Sequence, residues 1–283
     1  MLDSLTRDSD LDSEETMTQV DSSRGIWRSQ PFYVRLNAGG LLVFALAALV
    51  TGVILELGGQ PGGIVNSAGI AVPSVVIALL VLRIGVWTLT MATIWAVLLV
   101  LGTLLFLPTG FSHINSFWDF AAALTNTAAV LAASIGGGVA FVQRRRGTVR
   151  QTATTAERRS LVGATAVVVV LLLLSGGLHV ASIESVSADA KAGAIAVVMK
   201  NTQFDPDELT VQAGQPATLV VKNDDLVVHT FIVEELGIDE VIIGGSEKLI
   251  AIAASSPGSF AYVCEILGHE AMKGTLVVQA AAQ

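Results

Sequence analysis

Cys264 is the only cysteine among 283 residues, and it is followed by His269 five positions on and Met272 eight positions on. A lone cysteine excludes an intrachain disulfide. It leaves a small buried apolar residue, a nucleophile or a metal ligand. A nucleophilic Cys–His pair needs an orienting acid and an oxyanion hole, and the sequence carries no specific sign of either. Thiolate, imidazole and thioether donors together suit copper, and two His and one Cys with a long axial Met form a mononuclear copper set. The second imidazole is available from His229, in DDLVVHTFIV. Taken singly, each residue has a plainer use: a strand histidine, a small hydrophobe, a core methionine. Jointly, the only Cys and two of the four His fall within one short region.

The elements that must position these side chains are short. AIAVVMK, ELTVQAG, ATLVVKN, VVHTFIV, EKLIAIAA, SFAYVC and GTLVVQA are rich in Val, Ile and Thr and are separated by DPDE, GQP, NDD and SSPG. Short strands at such spacing predict an all-β sandwich or small barrel. Cys264 ends one expected strand, and Gly268 is placed to turn His269 back toward the sulfur. Met272 follows in the same loop, and His229 comes from a distant strand, so a metal would tie two strands together.

The stretches NTQFDPDELTVQAGQPATLVVKNDD, HTF at 229–231 and PGSFAYVCEILGHEAMKGTLVV resemble the cupredoxin family of type 1 blue-copper proteins. The resemblance covers about the last 90 residues and implies a Greek-key sandwich holding one mononuclear copper. It implies His229, Cys264 and His269 as equatorial ligands and Met272 as the axial one. Two features depart from the family pattern. The two-residue gap between His269 and Met272 is shorter than in azurin-like loops and occurs in the dinuclear copper site of cytochrome oxidase subunit II. That site needs two cysteines, so it does not fit this chain. Glu265, directly after the cysteine, is expected to favour Cu(II) over Cu(I) and lower the potential if its carboxylate is not solvated away.

The remainder of the chain is of another kind. Hydrophobic residues make up 52% and charged residues 14%, well below the charged share of a soluble domain. A membrane-crossing helix needs about 20 mostly apolar residues. Such runs occur near 36–57, in a block near 66–107 interrupted by Arg83, near 117–142 and near 161–183. With the block read as two spans, five helices result; one long span there would give four. Arg residues concentrate at 144, 145, 146, 150, 158 and 159, and at 7, 24, 28 and 35. The positive-inside rule makes both groups cytoplasmic, and five spans then put the N-terminus inside and the C-terminal domain outside. Gly136–Gly138 and Gly176–Gly177 are expected to allow close helix packing. His113 and His179 fall near the outer face, where interfacial histidines are common and a second metal or quinone site is the alternative. The first residues lack the basic start and early apolar core of a cleaved signal peptide.

The expected organisation is a disordered cytoplasmic tail at 1–35, a transmembrane helical region at 36–183, a flexible linker at 184–194 and an extracytoplasmic copper-binding domain at 195–283. From Glu184 onward there are 14 Asp and Glu against 5 Lys and no Arg, a net of −9. Such acidity argues against nucleic acid or anionic surfaces as ligands of this domain. It is compatible with a basic protein partner, and equally with plain solubility. The expected function is single-electron transfer at the outer membrane face, by an electron carrier rather than an enzyme, with a cytochrome or respiratory complex as redox partner. The rivals are copper sequestration or delivery, and a copper-sensing receptor domain on a membrane module. Oligomeric state is not legible.

Overall fold

The computed structural model describes residues 26–57, 62–84 and 86–280. Seven helices precede nine strands among them: α1 (Ile26–Ser29), α2 (Phe32–Leu57), α3 (Gly63–Ile84), α4 (Val86–Ser112), α5 (Phe117–Arg146), α6 (Thr155–Ser182) and α7 (Ala188–Lys191). Most of the expected N-terminal tail, 1–25, lies outside the described residues. Helices α2 to α6 are each long and apolar enough to span a membrane, which gives the five-span count. The block near 66–107 falls into two helices, α3 ending at Ile84 and α4 starting at Val86, and Pro73 is held inside α3.

Several helices start before their apolar runs because polar residues form their first turns. Thr154 opens α6 through a reciprocal pair: its hydroxyl accepts from Glu157 N at 3.2 Å, and the Glu157 carboxylate accepts from Thr154 N at 2.7 Å. That capping box satisfies two amide donors otherwise left without partners. Helix α5 ends at Gly147, whose φ of 64° lets the chain turn away.

Glycines set the packing of α2 on α5. A Cβ at Gly40 would lie 2.6 Å from Ala129 O, and one at Gly136 would lie 2.5 Å from Asn37 N. A Cβ at Gly137 would collide with Thr93 on α4, whereas Gly138 and Gly177 face open space. The buried Asn37 amide donates to Ala133 O at 2.8 Å across the same contact. Close approach and an interhelical hydrogen bond are what hold helices together where burial of apolar surface gives no driving force.

The strands are β1 (Ile195–Lys200), β2 (Gln203–Asp205), β3 (Glu208–Gln212), β4 (Ala217–Asn223), β5 (His229–Val233), β6 (Ile238–Ile242), β7 (Glu247–Ile252), β8 (Gly258–Val263) and β9 (Lys273–Gln279). They form two sheets, ordered β2-β1-β4-β7 and β3-β9-β8-β5-β6, as the expected sandwich requires. Strands β2 and β6 were not among the expected seven. β6 reads IDEVI at the sheet edge, with Asp239 toward solvent and the half-buried Glu240 paired with Lys248, a composition that argues for a loop in sequence and protects an edge in structure. The core centres on Phe204, Phe231 and Tyr262, with Phe204 edge-on to both partners and Phe231 stacked on Tyr262 at 5.2 Å.

The segment expected as a flexible linker is bound to the β-part. Glu184 N donates to Ser246 Oγ at 3.2 Å, Glu247 N to Glu184 O at 2.8 Å, and Lys191 pairs with Glu247 at 2.6 Å. The small polar residues that suggested slack supply backbone groups to the start of β7 instead.

Candidate metal centre

Strand pairing brings the three strongest donors together. β5 and β8 are antiparallel with Ile232 opposite Val263, so the residue after β8, Cys264, reaches the start of β5. His229 is the first residue of β5. The loop from β8 to β9 turns at Gly268, which has φ 92°, a conformation that favours glycine, and this returns His269 to the sulfur. Cys264 Sγ lies 3.7 Å from His229 Nδ1 and 3.7 Å from His269 Nδ1. The three donor atoms all fall within 4.8 Å of one another, the one such group among the described residues. All three residues are buried: His229 0%, Cys264 4% and His269 6% exposed.

Met272 closes the same loop. It is buried, its amide donates to His269 O at 2.8 Å, and its carbonyl accepts from Cys264 N at 3.0 Å. The loop is thereby fixed by its own backbone around the donors, as the sequence spacing anticipated.

A residue that sequence reasoning missed stands behind His229. Asp225, 4% exposed, accepts from His229 Nε2 at 2.9 Å. A carboxylate cannot donate, so Nε2 carries a proton, and Nδ1 is the ring nitrogen that faces the cluster. Asp225 also accepts from the amides of Asn201 and Thr202 at 2.9 and 3.0 Å. Both residues have positive φ, 57° and 53°, which aims successive N–H groups at one anion. Asn223 completes the loop by donating to Val227 O and Ile242 O and accepting from Asp225 N. The sequence signal was NDD four residues before the histidine, which reads equally well as a turn.

The electrostatics follow from these contacts. Burial pushes the Asp225 carboxyl up, but the His229 imidazole and the two amides outweigh it and hold it below its usual range. Burial disfavours protonated His229, yet Asp225 and the Cys264 sulfur raise it to about 9. Burial likewise opposes the Cys264 thiolate, and the imidazoles with the Thr230 and Ile266 amides bring the thiol down to about 5. Thr230 N donates to Sγ at 3.4 Å. A buried sulfur that is readily a thiolate, flanked by two imidazole nitrogens, is a donor set suited to copper.

Glu265 is exposed, and only its amide is engaged, donating to Thr230 Oγ1 at 2.8 Å. Its charge is therefore screened by solvent, and Asp225 is the carboxylate that acts on the site. The outer-face histidines are not brought together into a second metal cluster among the described residues. His113 Nδ1 bonds Thr109 O at 3.0 Å, and His179 Nδ1 bonds Asn115 O at 2.9 Å.

Residues 164–278 match the family model of the cupredoxin-like domain. The C-terminal part carries a cupredoxin-like domain. The match covers less than half of the chain and takes in the last part of α6. No curated protein matches the chain. Among solved structures, auracyanin from Roseiflexus castenholzii is 20% identical over 31% of this chain and 97% of that one, with a TM-score of 0.28. Auracyanin A from Chloroflexus aurantiacus, described as a blue copper protein, is 24% identical over 30% and 98%, with a TM-score of 0.28. A haem-copper terminal oxidase chain is 23% identical over 44% and 99%, also at 0.28. The cupredoxin fold and its His, Cys, His cluster fit one copper ion of the type 1 kind.

Proposed function

We propose that the chain is a membrane-anchored single-electron carrier. Its equatorial copper ligands are His229, Cys264 and His269, its axial ligand is Met272, and the cupredoxin domain lies on the extracytoplasmic side. When bound, the copper supplies a one-electron couple. The protein residues do the rest. Asp225 orients the His229 ring, the Thr230 amide steadies the Cys264 sulfur, and the β5, β8 and loop backbones hold the donors in place while charge changes. Burial keeps water from the sulfur. A site held this firmly reorganises little between oxidation states, which is what electron transfer requires and what release of the ion disfavours. The observation that carries the proposal is the buried cluster with a tautomer fixed by Asp225.

Orientation rests on the basic residues at 144–146, 150, 158 and 159, which are held at the bundle end opposite the cupredoxin domain. The acidic surface of that domain suits a basic face on a cytochrome or respiratory complex. The rival reading, copper storage or delivery, is separated by a direct comparison on the full chain in detergent. The protein loaded with Cu(I) is mixed with oxidised cytochrome c in one arm, where each copper gives one electron to one haem iron, and with a copper chelator in the other. Electron exchange on the millisecond scale with copper retained for hours supports the carrier. Rapid copper handover without unfolding, together with slow electron exchange, overturns it.

A further inference from the structure

A hollow of about 640 Å³ lies in the helical part, between α2, α5 and α6. Small residues make it. Gly39, Ala128, Ala132 and Ala164 line its walls with Leu161 and Val168, so α6 stands off from the other two helices along this side. Its volume falls within the roughly 300–1,000 Å³ of sites that hold discrete molecules. Its walls are mostly apolar, with Thr125 and Thr165 among them, and one end is cationic, where Arg35 and Arg158 line it beside Thr152.

The guanidinium groups at that end lack an anion. Arg35 Nη2 donates to Gln151 O at 3.0 Å, but its Nε is buried with no hydrogen-bond partner. The Arg158 guanidinium has no hydrogen bond or ion pair among the described residues, where only the Arg158 amide is engaged, donating to Thr154 O at 3.0 Å. The acid beside it in sequence, Glu157, is already taken by Arg150 at 2.6 Å and Tyr33 at 2.5 Å. A wall running from Arg158 to Val168 rises about 15 Å along α6, which is about half of a hydrocarbon core roughly 30 Å thick. The hollow is thus one leaflet deep, apolar along its length and cationic at its mouth, where the helix ends reach the headgroup level.

We infer that this hollow binds an anionic phospholipid, with an acyl chain between α2, α5 and α6 and the phosphate group between Arg35 and Arg158. The inference rests on the five helices crossing a membrane and is independent of the copper assignment. A zwitterionic lipid presents its own cation to the same arginines and gains less. The lipid fills the space beside α6, the most loosely packed of the long helices.

The test uses the full chain purified in mild detergent, with native mass spectrometry read against added phosphatidylglycerol or phosphatidylcholine. Phosphatidylglycerol adducts are expected at several-fold lower lipid concentration than phosphatidylcholine adducts. Arg158→Gln should cut that preference about fivefold, as expected for about 1 kcal/mol per basic residue at the membrane surface, and Arg158→Lys should largely restore it. Arg158 makes no contact whose loss would unfold the bundle. Ala164→Trp fills the hollow and should abolish tight adducts of both lipids, with the copper absorption unchanged as a check on folding. Equal binding of the two lipids, an Arg158→Gln variant with unchanged preference, or a neutral quinone extracted from the hollow in place of lipid would each overturn the assignment.

Discussion

The side chain that does most for the site without being a ligand is Asp225. Its carboxylate fixes the His229 tautomer and adds a buried negative charge one imidazole away from the metal position. Outer carboxylates of this kind are worth about 10–100-fold in metal affinity. Asp225→Asn is therefore expected to weaken Cu(II) binding by about that factor and to raise the midpoint potential. Competitive chelator titration and potentiometry read the two effects, and an unchanged potential would mean that Asp225 serves only to shape the loop. Glu265→Gln, at the exposed carboxylate, is expected to leave the potential where it is. If Met272 is the axial donor proposed above, Met272→Leu leaves a three-coordinate site that suits Cu(I), so the potential should rise with the visible band retained. The four ligand candidates were legible because their chemical types are rare and their spacing is tight. Asp225 was not, since an Asp in a turn-forming stretch signals a turn whatever its carboxylate later faces.

Each class of element declared itself through a different regularity. Long apolar runs marked the five helices that are long and apolar enough to cross a membrane, and α6 starts earlier than its run because the capping box of Thr154 with Glu157 extends it. Seven strands followed from Val, Ile and Thr segments between turn residues. β2 was too short for such a signal, and the acids of β6 masked its period. Helix contacts depend on a few glycines that sequence marks only as small. Gly136 places α5 against the α2 backbone, where an added Cβ has no flexible neighbour to move. Gly136→Leu should separate α2 from α5 and cost at least the 1–3 kcal/mol typical of overpacking. Thermal unfolding in detergent should register this loss, while the same change at Gly138, which faces open space, should be tolerated.

At the scale of the molecule, the helical part touches the chain just before β5, which begins at His229. Asp119, at the start of α5, accepts from Val228 N at 2.9 Å, one residue before His229. The loop just before α5 receives α6, through Ser175 Oγ to Ile114 O at 2.7 Å and His179 to Asn115 O. The start of α5 thus meets the cupredoxin-like domain next to the candidate metal centre. A hydrogen bond to a charged acceptor is worth about 1.5–3 kcal/mol, so Asp119→Ala should speed hydrogen exchange at Val228 by about tenfold or more. Unchanged exchange there would mean that the two parts are joined by the chain alone. None of this architecture has its proposed purpose unless Cys264, His229 and His269 hold one copper through the thiolate. The direct test is the visible absorption of the full chain loaded with one equivalent of Cu(II). An intense sulfur-to-copper band that bleaches on reduction, returns on oxidation and is missing from Cys264→Ser is the predicted result. Stoichiometric copper bound without that band would contradict the assignment.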